Sequence, residues 1–169
     1  MQEQVELRQF HRNMVDRLAL LADNPKIAAH VRDNFPSPYS LADAHYWIDL
    51  CSKVNANAIQ RAIFYQDQFV GGIGVLRQED IYRNNAEIGY WLGEPYWGKN
   101  IATAALIQMT DWIFQNTSVT RLFAGVFETN SASKRVLEKA GYKLEAIHHK
   151  AIIKNGVVLD EHLFVRLAL

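Results

Sequence analysis

The chain has 169 residues, the size of one domain with a single substantial core, and its 18 lysines and arginines balance its 18 aspartates and glutamates. That balance argues against a nucleic-acid-binding module and against recruitment to an anionic membrane. The longest apolar runs fall far short of the roughly 20 residues that span a bilayer, and Met-Gln-Glu-Gln-Val-Glu at the start lacks a basic segment followed by a signal core, so a cytoplasmic protein is expected.

Residues 5–10 alternate enough for an edge strand, and Asn13 to Ala22 reads as a helix with Met14, Val15, Leu18 and Leu21 on one face. Pro36 and Pro38 then break the chain into a loop carrying Phe35 and Tyr39. A helix resumes after Ser40, a suitable N-cap, with Ala44, Trp47, Ile48 and Cys51 at helical spacing. Cys51 is the single cysteine, which excludes an internal disulfide and reads best as a small packed side chain.

Arg61 to Tyr65 and Phe69 to Leu76 form two strands joined by a short hairpin connection at Gln66-Asp67-Gln68. Gly71, Gly72 and Gly74 lie inside the second of them. They lack GxGxxG spacing and no helix follows, so they mark a bulge or a close approach of backbones, not a dinucleotide loop. Ala86 to Leu92 is the next strand, with Glu87 and Gly89 on the opposite face from Ile88, Tyr90 and Leu92.

A bend from Gly93 to Asn100 leads into a helix with Ile101, Ala105, Met109, Trp112 and Ile113 at 3- and 4-residue spacing. Arg121 to Phe127 is a short buried strand, and Asn130 caps a helix from Ser131 to Ala140 that ends at Gly141. Tyr142 to Ile153 and Val157 to Leu167 pair around Asn155-Gly156, the strongest turn signal in the chain. Counted from that turn, His149 and His162 fall opposite one another, a geometry that suits a metal, but no third ligand stands in register and no metal site is assigned. Without repeats or linkers, residues 1–169 read as one α+β domain.

The strand, bend and helix from Glu87 to Leu106 carry the chemistry. Backbone N–H groups at a helix N-terminus, with the partial positive charge of aligned peptide dipoles, favour an anion such as a pyrophosphate. Gly93-Glu-Pro-Tyr-Trp-Gly98-Lys99-Asn100 nearly fits the nucleotide pattern GxxxxGK[ST], but Asn100 stands where the magnesium-binding hydroxyl belongs. Pro95 also removes a donor from the loop.

Trp97-Gly98-Lys99-Asn100-Ile101-Ala102 instead resembles the acyl-CoA pyrophosphate loop, Arg/Gln-x-x-Gly-x-Gly/Ala, of the GNAT family of N-acetyltransferases. The resemblance is closest to the RimJ/RimL branch, through Ala-Glu-Ile-Gly-Tyr-Trp-Leu, then Tyr-Trp-Gly-Lys, Asn130-x-x-Ser133 and Leu137-Glu-Lys-Ala-Gly-Tyr142. Trp97 replaces the usual basic or amide residue and Asn100 a glycine; Asn tolerates the left-handed backbone region better than other non-glycine residues.

The resemblance implies a mixed sheet of about seven strands, splayed at the cofactor site and flanked by about four helices, with the first two helices and their loop walling the acceptor groove near Phe35 to Tyr39. It implies acetyl-CoA as cosubstrate without a metal, held by Tyr90, Trp91, Leu92, Trp97, Gly98, Lys99, Asn100, Ile101, Ala102, Thr103, Asn130 and Ser133. Acetyl passes by direct attack to a primary amine, foremost a protein α-amine of the ribosomal-protein type. A small amine acceptor and a CoA-binding module without turnover are the alternatives, and homodimers are common in the branch.

Among catalytic groups, Glu87 resembles the strand carboxylate that serves relatives as base, with Glu128 as second choice. Leu137 stands where many relatives carry the tyrosine that protonates the thiolate, so that role does not transfer. Ser133 takes the place beside the sulfur, where a hydroxyl can donate to developing S⁻. On the residues alone, Asn130 and Ser133 equally describe an N-cap and a first-turn polar residue. Asp160 and Glu161 are equally placed to bind a cationic amine, and His149 and His162 are candidates to contact the acceptor.

Overall fold

A computed structural model describes residues 4–169; residues 1–3, part of the segment read above for a signal sequence, lie outside the described residues. Seven strands, β1 (Val5–Arg8), β2 (Ala58–Tyr65), β3 (Gln68–Arg77), β4 (Asn85–Leu92), β5 (Arg121–Phe127), β6 (Lys143–Lys154) and β7 (Val157–Leu167), form one sheet in the order β1-β2-β3-β4-β5-β7-β6. The helices are α1 (Val15–Ala22), α2 (Pro25–Ala28), α3 (Leu41–Ser52), α4 (Ile101–Asn116) and α5 (Ser131–Lys139). The expected α+β sheet is therefore present, and the fifth helix is the four-residue turn α2, with Pro25 at its start and the Asn24 side chain as cap.

Each boundary has a local cause. Ser40 accepts from the Asp43 amide while Asp43 accepts from the Ser40 amide, a reciprocal cap that starts α3. Gln66 and Asp67 both take positive φ, as do Asn155 and Gly156, which is the twist that two-residue hairpin turns require. The helix expected from Asn13 begins instead as a 3-10 turn, Arg12–Met14, before α1.

Two cores lie on the two faces of the sheet. On one, Ile88, Leu92, Leu122, Ala124, Val126 and Phe164 pack against Ile101, Leu106, Met109 and Ile113 of α4 and Leu137 of α5. On the other, Phe64 and Phe69 meet Val15, Leu18, Tyr39, Ala44 and Ile48 from the α1–α3 segment. Ile101, the first residue of α4, is 1% exposed. Burying it contributes about 1.5–3 kcal/mol and fixes where the helix begins. Trp112, expected on the buried face of α4, is exposed and lies beneath the Arg61 guanidinium. No described helix is long and apolar enough to cross a membrane.

Candidate active site

The sheet has one parallel neighbour pair, β4 and β5, and they pair only from Asn85↔Arg121 to Glu87↔Phe123. Beyond that point β4 continues to Leu92 and β5 to Phe127 without each other. On β4 the residues whose backbone faces β3 are fixed by two end contacts, the Gln78 amide on the Asn85 carbonyl and the Gly93 amide on the Val70 carbonyl. The alternation between them aims Glu87, Gly89 and Trp91 at β3, and so aims the N–H groups of Tyr90 and Leu92 into the gap. The same alternation on β5 aims the Gly125 backbone into it from the other side, because the Glu128 amide binds Asp160 on β7.

At the end of β4 the chain turns through a 3-10 segment, Glu94–Tyr96, into α4. Gly98 and Asn100 have φ of +72° and +59°, so the loop turns its amides toward the helix N-terminus, and Asn occupies the left-handed position as its side chain allows. Among the described residues no acceptor meets the N–H groups of Gly98, Lys99, Asn100, Ile101, Ala102 or Thr103; the α4 ladder begins with Ala104 on the Asn100 carbonyl. A helix normally covers such donors with its N-cap side chain. Here the Asn100 side chain caps nothing and instead accepts from Lys139 Nζ at 3.2 Å, which brings a cation beside the open amides. Six convergent donors, a helix dipole and a lysine fit a diphosphate.

Trp97, expected among the cofactor-binding residues, spends its donors within the protein. Its amide binds the Glu94 carbonyl and its indole N–H the Leu92 carbonyl at 2.7 Å, so both of its donors are engaged within the protein. It braces the strand end against the loop. Glu94 is likewise held, by Lys26 and Asn24, and these hydrogen bonds keep its carboxyl below the usual range.

On the α4–α5 side of the gap, Asn130 caps α5 by accepting from the Ser133 amide at 3.2 Å. The Ser133 hydroxyl meets the Tyr90 phenol at 2.7 Å. Burial pushes that phenol up to about 12, with the Ser133 bond opposing, so it stays protonated and either hydroxyl can be the donor. Leu137, where relatives place a tyrosine, is fully buried in the core. The phenol beside Ser133 comes from β4. The Tyr90 side chain lies two residues from Ile88 on the same face, so alternation placed it on the α5 side, but nothing in the sequence paired it with Ser133.

The opposite face is the one on which the resemblance puts the acceptor groove. Glu87 faces it and is paired with Arg32 from the segment between α2 and α3, a residue that sequence reasoning did not single out. Asp33 meets Lys154 of β6 at 2.8 Å, so this segment and the last hairpin touch. Phe35 packs on Trp91 with ring centres 5.9 Å apart and lines the groove, whereas Tyr39, expected at the mouth, is 7% exposed in the core with its amide on Asp23.

The histidine pair does not form. Register puts His162 opposite Ile147, because an irregularity between His148 and Ile152 places two extra residues on β6. His149 turns to Asp160 at 2.9 Å, and Lys150 adopts φ of +53° at the irregularity. Asp160 also accepts from the Lys150 amide, the main cause of its lowered pKa. Glu128 accepts from the Asp160 amide at 3.0 Å.

Comparison with known proteins agrees with this geometry. Residues 4–143 match the model of the acetyltransferase (GNAT) domain. The chain belongs to the GNAT family of N-acetyltransferases. It is 35% identical over 97 residues to the probable N-acetyltransferase YjcK of Bacillus subtilis, covering 57% of this chain and 54% of YjcK. To the ribosomal-protein-serine acetyltransferase of Escherichia coli it is 30% identical over 105 residues, 62% of this chain and 58% of that protein. The matched stretch is thus little more than half the length of these relatives. Among solved structures it resembles RimL, the ribosomal L7/L12 α-N-protein acetyltransferase in complex with coenzyme A, with a TM-score of 0.86 at 23% identity over 97% of this chain and 94% of that one. It also resembles spermidine N-acetyltransferase from Vibrio cholerae in complex with CoA and spermine, with a TM-score of 0.81 at 18% identity over 98% and 96%.

Proposed function

We propose that this chain transfers acetyl from acetyl-CoA to a primary amine by direct attack, and that the acceptor is the α-amine of a protein N-terminus. The observation that carries the reading is two sets of unmet donors joined by one short loop, Tyr90 and Leu92 in the β4–β5 gap and the six amides opening α4. Acetyl-CoA, when bound, supplies a thioester and a diphosphate. The α4 amides with Lys139 hold the anionic end, and the N–H groups of Tyr90 and Leu92 polarise the acyl carbonyl, a fixed-donor effect worth a few kcal/mol on the barrier. Asn130 orders the first turn of α5 and so sets the Ser133 hydroxyl beside the leaving sulfur. With its lone pair taking the Tyr90 O–H, Ser133 turns its own hydrogen to the developing thiolate.

The amine must be uncharged to attack. An α-amine of pKa roughly 8 is about a tenth neutral at pH 7, whereas a lysine of roughly 10.4 is well under a thousandth neutral, so a weak base suffices for an N-terminus. Glu87 is the proposed base. Arg32 pairs with it and holds the carboxylate in place on this face of the sheet. The likeness to ribosomal-protein acetyltransferases supports a protein acceptor. The likeness to a spermidine acetyltransferase supports a second reading, a small polyamine.

Calorimetric titration with acetyl-CoA, followed by thiol release with N-terminal peptides, lysine peptides and polyamines, tests the whole. Thiol release with N-terminal peptides is expected. Binding without release for any acceptor would leave a CoA-binding module, and absence of binding would remove the reading.

A further inference from the structure

The groove face of the sheet carries a second carboxylate, built differently from Glu87. Past Glu87 and Phe123, where β4 and β5 part, the next residue on this face is glycine on both strands, Gly89 and Gly125. Above Gly89 the space is open: a Cβ there would meet nothing within 4 Å. Above Gly125 it is occupied, since a Cβ would come within 2.5 Å of Glu161 Oε2 and 2.7 Å of its carboxyl carbon. The Glu161 carboxylate therefore lies against the β5 backbone, in a place that any side chain at 125 would fill.

Its two oxygens have different surroundings. Oε1 meets His148 Nδ1 at 3.2 Å, and the two residues stand opposite each other in the β6–β7 ladder. Among the described residues no donor reaches Oε2, the atom over the glycine. The neighbouring carboxylates are all engaged by stronger or fixed donors: Glu87 by the Arg32 guanidinium, Asp160 by the Lys150 amide, Glu128 by the Asp160 amide. Glu161 is 28% exposed, with one face open to the groove and a bare glycine floor leading to the gap.

We infer that Glu161 is the residue that receives the acceptor: Oε2 binds the ammonium form of a primary amine above Gly125 and sets its nitrogen at the mouth of the gap, while His148 fixes the carboxylate. This deepens the acetyl-transfer reading and rests on it for the identity of the groove. Gly125 is part of the device, because its missing side chain is what lets the carboxylate lie flat. The irregularity in β6 serves it too, since the two-residue shift is what puts His148 opposite Glu161.

Titration of the ¹⁵N-labelled chain with propylammonium chloride, and with 1-propanol as the neutral counterpart, tests the assignment. Propylammonium alone is expected to shift the Gly125 amide and the His148 ring saturably. Glu161→Gln should weaken this binding by about tenfold or more, the loss of one charge-assisted hydrogen bond. Asp16→Asn, which removes an exposed carboxylate in the first turn of α1, should leave it within about twofold. Gly125→Ala displaces the carboxylate without removing its charge and should reproduce the Glu161→Gln loss.

Acetyl-CoA titration of each variant reports whether the fold is kept, and in turnover with the best amine of the panel Glu161→Gln should raise the acceptor KM with acetyl-CoA KM unchanged. Binding that survives both Glu161→Gln and Gly125→Ala, or shifts centred on Glu87, would overturn the assignment. Failure of the wild-type chain to bind acetyl-CoA would overturn the acetyl-transfer reading instead, with ammonium binding still measurable.

Discussion

Tyr90→Phe isolates the contact on which the leaving-group argument depends. The substitution removes one oxygen from a half-buried ring and keeps the ring that packs against the core, so the folded state loses the 2.7 Å hydrogen bond to the Ser133 hydroxyl and the longer, 3.4 Å one to its carbonyl. Such a bond has a net worth of about 1 kcal/mol, which in a domain of this size lowers Tm by about 2–4 °C. In turnover, Ser133 keeps its hydroxyl but loses the donor that polarises it. The expected fall in kcat is about tenfold, against one to two orders of magnitude for Ser133→Ala, where the donor to sulfur is itself removed. Because Tyr90 acts through Ser133, the double variant should be no slower than Ser133→Ala. Acetyl-CoA affinity should barely change in any of the three. The Tyr90 phenol, held near 12, stays protonated across the assay range, so the ratio of Tyr90→Phe to wild type should be flat between about pH 6 and pH 9. Thiol release under saturating acceptor measures all of this. Additive losses in the double variant, or an unchanged kcat in Tyr90→Phe, would refute the relay.

Asn100→Gly should keep acetyl-CoA binding, whereas Asn100→Val forces a β-branched residue to φ of +59° and costs about 1–2 kcal/mol or more, read as a lower Tm and a higher acetyl-CoA KM. Trp97→Phe removes the indole bond to Leu92 while keeping an aromatic ring; a rise of about threefold to tenfold in acetyl-CoA KM is expected, from about 0.7–1.4 kcal/mol of lost bracing. Glu87→Gln should lower the rate chiefly at low pH, and a ratio to wild type that does not change with pH would make the residue an anchor for Arg32 alone. Alkaline stability should also fall in a defined window. Burial raises Cys51 from 9.0, and Tyr39, Tyr90 and Tyr142 from 10.0, each to about 12, so the unfolded chain releases these protons first. Their contribution is whole below pH 9 and is lost between pH 9 and pH 12, measurable as a declining urea midpoint.

How far the site could be read from sequence depended on whether a signal was local. The Asn155-Gly156 turn, the Ser40 cap and the Asn130 cap are written within a few residues, and each stands where periodicity and capping chemistry place it. The alternation on β4 correctly separated Glu87 and Gly89 from Ile88, Tyr90 and Leu92. What could not be read were contacts set by register and by segments far apart in the chain. Arg32 reaches Glu87 across 55 residues, and Tyr90 reaches Ser133 across 43, through the packing of α5 on the sheet. The last hairpin shows the limit most clearly. Counting from its turn assumed an unbroken ladder, but between His148 and Ile152 on β6 three residues oppose one on β7, so the pairings from His148 to Ala146 move by two. A shift of two preserves which face each side chain occupies, which is why Glu161 was a sound candidate for the groove while its partner was not legible. The hand of the groove was therefore encoded in period-two alternation, and the identity of its histidine in an irregularity that carries only Lys150, a non-glycine residue at positive φ, as its mark.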